Sequence, residues 1–413
     1  MKDTEYRKYH NNRIYLAAII IFLMTMLSLY VERKDYYNSH FIEYVILEML
    51  AVIALAGIIA FRKDDVLDKR IDSMAVTCWL CFTIYTLISD ILVDKQYRFA
   101  EIGIFLVLGF AGLTIIRRGN CKSFFAAGTV ATKWFLPFLM LASIIFPMES
   151  RVPGRFSGPI DNPSIFALFL CSIWAVLLGC LEHQLFDKAD RKTLVITYAE
   201  MIATITLMIL SQSLTPIIAL CIITFIWLFR IVRKKKGTTY AIKSMLALGL
   251  SCVLVLAIIT VTIRCAGIGG DSRIIQKIQA ADVSAFLSGR DSYWRRYLSK
   301  MNLLGHSKKP FLWDHRILPH NAIIGMMYWY GVPCVIPYIL MMMMAVEKSW
   351  RLANTGIKYS AVPFYCITSF IIMSMADNVE QPFVWLPWII CYLMMAPVLV
   401  MPVEEIDALK TDR

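Results

Sequence analysis

The 413-residue chain is 58% hydrophobic and 17% charged, with a mean hydropathy of +0.62 and a formal net charge of +12. A soluble core would not need that much apolar mass, and its blocks of about 20 residues match a helix crossing roughly 30 Å of hydrocarbon. The positive charge needs no nucleic acid, because its distribution along the chain follows membrane topology.

The pattern predicts an all-α polytopic membrane protein, one membrane domain over residues 1–413 with about twelve spans. The first six run Ile14–Val31, Phe41–Phe61, Ser73–Val93, Glu101–Ile116, Phe124–Pro147 and Ser164–Leu181. The rest run Thr193–Leu210, Thr215–Phe229, Ser244–Ile263, Asn321–Ala345, Tyr359–Ala376 and Phe383–Val400. The first span is too long for a signal-peptide core, lacks a small-residue cleavage site and is followed by further spans, so it reads as retained.

With the N-terminus cytoplasmic, the inner segments and tails carry about 25 Lys/Arg against about six in the short outer loops, the bias expected of inward-facing segments. Both termini then lie inside. The run Arg230–Lys236 reads as a flank that stops transfer rather than as a ligand site. Most of the eleven cysteines fall within spans, so Cys78 and Cys81 read as small packing residues rather than a redox or zinc pair.

Three segments on the expected outer face carry chemistry. "SRVPGRFSGPIDNPS" (Ser150–Ser164) is rich in Pro and Gly and holds Arg151, Arg155, Asp161 and Asn162. Irregular backbone at membrane depth persists only where protein or water satisfies it, so this segment reads as a cavity wall or an ordinary turn with snorkelling arginines. The long loop 264–319 has ten Lys/Arg and four Asp. Loops of that length usually fold or function.

Within this loop, "RDSYWRRYLSKMNLL" places Tyr293, Trp294, Tyr297, Leu298, Met301 and Leu304 on one helical face, opposite Arg295, Arg296, Ser299 and Lys300. Asp291 or Ser292 is the expected N-cap. Such a helix suits the bilayer surface. Arg290, just before it, reads either as a solvated arginine or as a guanidinium aimed with the free helix N–H groups at an anion.

In "PHNAIIGMMYWYGVP", Asn321 is a natural N-cap and His320 can accept a proton near neutral pH. A lone histidine at a helix start is usually structural; the two arginine-bearing segments on the same face make a catalytic base the sharper reading. Asp377, Asn378 and Glu380 mark the last outer turn, where they would meet sugar hydroxyls or merely the interface. Asp90 and Glu101 read as boundary residues. Glu200, Lys133 and Glu48 are the few charges within spans, each placed near a span end. No DxD motif, HxxxH pair, Walker loop or nucleophile elbow occurs, and the spacing of His306, His315 and His320 makes a zinc site the weaker reading. No metal and no cofactor are expected.

"RFSGPIDNPSIFALFL", "SGRDSYWRRYL" and "PHNAIIGMMYWYGVP", in this order over about residues 100–400, resemble the O-antigen ligase and O-antigen polymerase superfamily. The resemblance implies a GT-C-like helical fold in the bacterial cytoplasmic membrane. It implies transfer of a glycan from undecaprenyl diphosphate, at the outer face, to a glycan or lipid-linked glycan acceptor, without metal or nucleotide sugar. It also implies other polysaccharide-assembly membrane proteins as partners. Arg155, Arg290 and His320 resemble the family's functional residues. The chain departs from the pattern at "LSQSLTP", where Leu214 replaces an expected arginine, and at "KKPFLWDHRILP", which lacks the usual glycine-rich turn.

Polymerase is the preferred expectation, with ligase the alternative. Catalytic roles fall on His320, Arg290 and Arg155; substrate contacts fall on Arg151, Asp161, Asn162, Asn321, Arg295, Asp377 and Glu380. Asp161 as the base is disfavoured, since flanking arginines lower a carboxyl pKa. The rival classes are a transporter of lipid-linked glycan, which would need charged paths deep in the spans, and a non-catalytic assembly subunit.

Overall fold

The computed structural model describes residues 2–33, 37–60, 71–94, 109, 111–114, 121–150, 154–160, 162–186, 190–265, 289–306, 319–375 and 386–409. All regular structure among them is helical. Six helices are long and apolar enough to cross a bilayer: Ser73–Val93, Cys121–Ile145, Pro163–Phe186, Arg191–Ser211, Leu214–Lys236 and Val332–Ala353. The chain is a multi-pass helical membrane protein.

Helices α1 (Lys2–Arg33) and α2 (Tyr37–Ala60) pack together, and α1 also lies against α4 (Cys121–Ile145). Helix α3 (Ser73–Ser89) passes into a π-helical turn, Asp90–Asp94. The centre of the bundle is α5 (Pro163–Phe186), with 83% of its apolar window buried. A helix apolar all round belongs inside. It contacts α6 (Arg191–Ser211), α7 (Leu214–Lys236) and α12 (Val362–Ser374). The last approach is close: a Cβ on Gly179 would stand 2.7 Å from Val362 Cγ2. By contrast α6 exposes Val195, Ile196, Ile202 and Ile209. On a membrane protein such a face is the surface that lipid covers. Helix α8 (Thr238–Cys265) packs on α7.

The expected span Asn321–Ala345 is two helices, α10 (Ala322–Tyr330) and α11 (Val335–Ala353), joined by a 3-10 turn at Val332–Cys334. Gly331 breaks it with φ 94° and ψ 154°, a backbone conformation other residues rarely adopt, and Pro333 cannot extend the ladder. The backbone groups around the break are taken up by residues 301–306. Val332 N donates to Asn302 O at 3.1 Å and His306 N to Tyr328 O at 2.8 Å. Hydropathy alone does not register this break, because both pieces are apolar.

The helix of the long loop, α9 (Arg290–Leu298), starts from Gly289 in the left-handed region, so neither Asp291 nor Ser292 is its cap. It lies against α10. Tyr297 is 1% exposed and meets the Tyr328 ring edge-on at 4.7 Å, while His306 stacks on the same ring at 4.5 Å. Leu298 and Leu304, on the apolar face expected to meet the bilayer, are not covered by protein. Segment 301–306 is anchored from below by α3: Ser89 Oγ donates to Leu304 O at 2.7 Å, and Tyr85 Oη donates to Leu303 O. Helices α13 (Leu386–Val400) and α14 (Val403–Ala408) close the chain, α13 against α12 and α11.

Two charge placements differ from expectation. Arg230 is 1% exposed and paired with Glu182, so it belongs to the bundle interior rather than to a solvated flank. Lys133 and Glu200 lie near the middles of α4 and α6 and pair at 3.2 Å, rather than marking span ends. In both cases tertiary partners, invisible in a hydropathy profile, permit burial of a charge. Charge is therefore not confined to one end of the bundle.

Candidate functional site

The turn between α6 and α7, Ser211–Thr215, organises one end of the bundle. Gln212 there adopts φ 48°, which lets the chain reverse within two residues. Segment 154–156 is sutured to it. Arg155 Nε donates to Ser211 O at 2.7 Å, Phe156 N to Leu210 O at 3.2 Å and Gln212 Nε2 to Gly154 O at 3.3 Å. From the other side, Arg290 Nη1 donates to Thr215 Oγ1 at 3.2 Å. The four Cα-to-Cα steps from Ser211 to Thr215 reach at most about 14 Å, so two arginines far apart in sequence close on one short turn.

The irregular backbone before α5 is satisfied by protein, as expected of non-helical chain at depth. Met148 N donates to Gly158 O at 2.8 Å, and Ser157, Gly158 and Ile160 are buried. Asn162 caps α5, its Oδ1 accepting from Ser164 N at 3.0 Å. Ser213 Oγ, in the organising turn, reaches Ser164 Oγ at 3.3 Å.

His320 is brought to this end by α9. Residues four apart lie on one helical face, so Trp294 projects beside Arg290 and donates from Nε1 to Pro319 O at 2.6 Å. One helix thus touches the α6–α7 turn through Arg290 and the residue before His320 through Trp294. His320 itself has φ 48°, in the left-handed region. Histidine enters that region more readily than most residues, yet such conformations persist only where surrounding contacts fix them and they gather at functional sites.

Asn321 is the cap of α10, Oδ1 accepting from Ile324 N at 3.1 Å, and its Nδ2 donates to Met375 O at 2.9 Å. It is 6% exposed. With both ends of its amide engaged inside the protein, it is a post that holds the backbone next to His320 between α10 and α12. Arg295 is exposed on the last turn of α9. Arg151, Asp161, Asp377 and Glu380 lie outside the described residues.

Sequence reasoning missed Ser211, Gln212, Thr215 and Trp294 as the parts that gather the site. The signal was present in "LSQSLTP": a polar triplet between two spans, where an arginine is missing. Two cations reach this turn from distant segments, Arg155 and Arg290.

Chemically, this end offers two guanidinium groups directed at one turn, and a helix that ties the backbone next to His320 to one of them. Planar guanidinium groups suit phosphate oxygens, and an imidazole suits proton transfer near neutral pH. Comparison with family models and with curated proteins finds no match for the chain.

Proposed function

We propose that this protein is an integral-membrane, metal-independent inverting glycosyltransferase of the O-antigen polymerase and ligase type. It moves a glycan from undecaprenyl diphosphate to an acceptor sugar hydroxyl at the outer face of the bacterial cytoplasmic membrane. The observation that supports this reading is the closure of Arg155 and Arg290 on the Ser211–Thr215 turn, with the residue before His320 tied to the Arg290 helix through Trp294.

In the reaction, the acceptor oxygen forms a bond to the anomeric carbon as that carbon's bond to the diphosphate oxygen breaks. The electron pair leaves with undecaprenyl diphosphate, and the acceptor proton goes to His320. Arg155 and Arg290 stabilise the negative charge growing on the leaving oxygen, an effect stronger where water is excluded. The base contributes about 10²–10⁴-fold. The acceptor in this reading is a second lipid-linked repeat unit, which makes the protein a polymerase of O-antigen, capsular or exopolysaccharide units. Lipid A–core in that place makes it a ligase. The twelve-span topology and GT-C-like arrangement belong to the same proposal.

The test is a reconstituted assay with lipid diphosphate–linked repeat units, alone and then with lipid A–core. A ladder of products without the core identifies a polymerase; a single transfer that requires it identifies a ligase. Full activity of both His320→Ala and Arg290→Ala rejects the site.

A second reading, a transporter of the lipid-linked glycan, is favoured by the mid-span pair of Lys133 and Glu200, since charges at that depth often mark a path. Movement of labelled lipid across the liposome bilayer, without glycan transfer, would select it.

A further inference from the structure

The end of the bundle opposite His320 holds a cavity of about 340 Å³. The C-terminal ends of α5, α7 and α11 and the loop into α12 form it, and its walls include Glu182, His183, Phe186, Lys234, Asn354 and Tyr359. We propose that this cavity binds a phosphate group, carried either by a lipid headgroup or by a free anion. The proposal is independent of the chemistry assigned to the other end.

The carboxylate on the wall does not repel such a ligand, because its charge is already matched. Glu182 Oε1 accepts from Arg230 Nη2 at 2.9 Å, Oε2 accepts from Arg230 Nε at 3.3 Å, and Tyr365 Oη donates to Oε2 as well. Arg230 is further held by Ala353 O at 3.1 Å and by the Trp350 ring at 4.5 Å. The charge of Lys234 is then in excess. Its Nζ reaches Glu182 Oε1 at 2.6 Å and Ala353 O at 3.4 Å. An ammonium carries three donors, so one remains for the cavity.

The loop wall is conformationally specialised. Gly356 has φ 74° and Tyr359 has φ 62°, two left-handed residues within four positions. A tyrosine there is uncommon, and strained backbone marks ligand clamps. The Tyr359 ring packs edge-on against His183 at 5.1 Å with the Lys358 ammonium 5.0 Å from its face. Burial pushes the Tyr359 phenol up to about 12, so at neutral pH it stays a hydrogen-bond donor.

Lys235 and Lys358 stand exposed around this end, and Phe186 is exposed at the cavity rim. Basic pockets between membrane helices on the cytoplasmic side hold anionic headgroups. This end is the cytoplasmic one under the charge bias of the sequence.

The test uses the full chain in detergent, with the thermal unfolding midpoint followed against three probes: short-chain phosphatidic acid, phosphatidylcholine of the same chain length, and inorganic phosphate. Phosphatidic acid should raise the midpoint saturably. Lys234→Gln and Tyr359→Phe should each raise the half-saturating concentration about tenfold, the effect of one charge-assisted hydrogen bond. Tyr359→Phe keeps the ring and its contact with His183, and Arg230 still neutralises Glu182 in Lys234→Gln, so both variants should fold. Lys236→Gln, outside the cavity, should bind within about twofold of wild type, as distant surface charges contribute little.

A saturable shift with phosphatidic acid alone assigns the site to a headgroup; an equal shift with inorganic phosphate assigns it to a free anion. No saturable shift with either overturns the proposal. So does an equal response to phosphatidylcholine, or a loss in Lys236→Gln matching that in Lys234→Gln.

Discussion

Gly305 and Gly331 meet backbone to backbone. A Cβ on Gly305 would stand 2.6 Å from Gly331 N, and one on Gly331 would stand 3.0 Å from Gly305 N and 1.9 Å from Leu303 O. The contact clamps the long loop onto the break between α10 and α11, and α10 carries His320 just before its other end. Gly331→Ala should therefore destabilise the protein by more than the roughly 1–3 kcal/mol of a strained backbone, because Leu303 must also move. Thermal unfolding of the purified variant measures this, and glycan transfer should fall with it.

His320→Gly separates strain from chemistry. Glycine relieves the left-handed backbone at φ 48°, so stability should stay level or rise. Removing the proposed base should lower turnover by about 10²–10⁴-fold. Stability unchanged with turnover also unchanged would make His320 structural.

Arg290→Lys keeps the charge but loses the planar fork that suits phosphate oxygens. Under the proposed reading, turnover should drop by about 10²–10³-fold, the cost of losing one preorganised donor to developing negative charge. The fall in turnover should exceed what any fall in the unfolding midpoint explains, and the midpoint of the variant, which also tests the bond to Thr215, is measured beside it. Single-turnover kinetics with lipid diphosphate–linked donor reads the effect.

Glu182→Ala leaves Arg230 buried without its carboxylate and should cost about 3–5 kcal/mol. The double variant Glu182→Leu/Arg230→Met should recover part of that loss, since it leaves no buried guanidinium unpaired while the buried Tyr365 hydroxyl still lacks its acceptor. Unfolding of the single and double variants under one condition decides between the outcomes.

Asp72 caps α3 through Ala75 N at 3.0 Å and meets Lys348 Nζ at 2.6 Å. Burial alone would raise its carboxyl, but the hydrogen bonds from Lys348 and Ala75 N and the Lys348 charge together hold it below the usual carboxylate range. Its stabilisation is then fully present above the unfolded value of about 3.9 and is lost as pH falls through the lower folded value. Asp72→Asn keeps a capping oxygen and should flatten the acid side of a midpoint-against-pH curve recorded below pH of about 6.

The break at Gly331 shows how far local sequence reaches. "YWYGVP" contains both residues that end a helix, yet the segment reads as one span because the flanks on either side are apolar. The docking of α9 through Tyr297 was half legible: the amphipathic period placed Tyr297 inward, but whether it met lipid or protein depended on Tyr328, which lies far along the chain. The partners of Arg230 and Lys133 had no local signal at all, since Glu182 and Glu200 lie on other helices.

What the sequence determined by itself is the solvent and the local grammar. The length and hydropathy of its blocks require a bilayer, and Asn321 caps the helix it precedes, because those effects act within a few residues. Only the tertiary structure decided that Arg155 and Arg290 share the Ser211–Thr215 turn, and that the far end is a charged cavity around Glu182 and Lys234. Those juxtapositions depend on helix packing, in which each contact joins residues whose sequence separation carries no trace of their meeting.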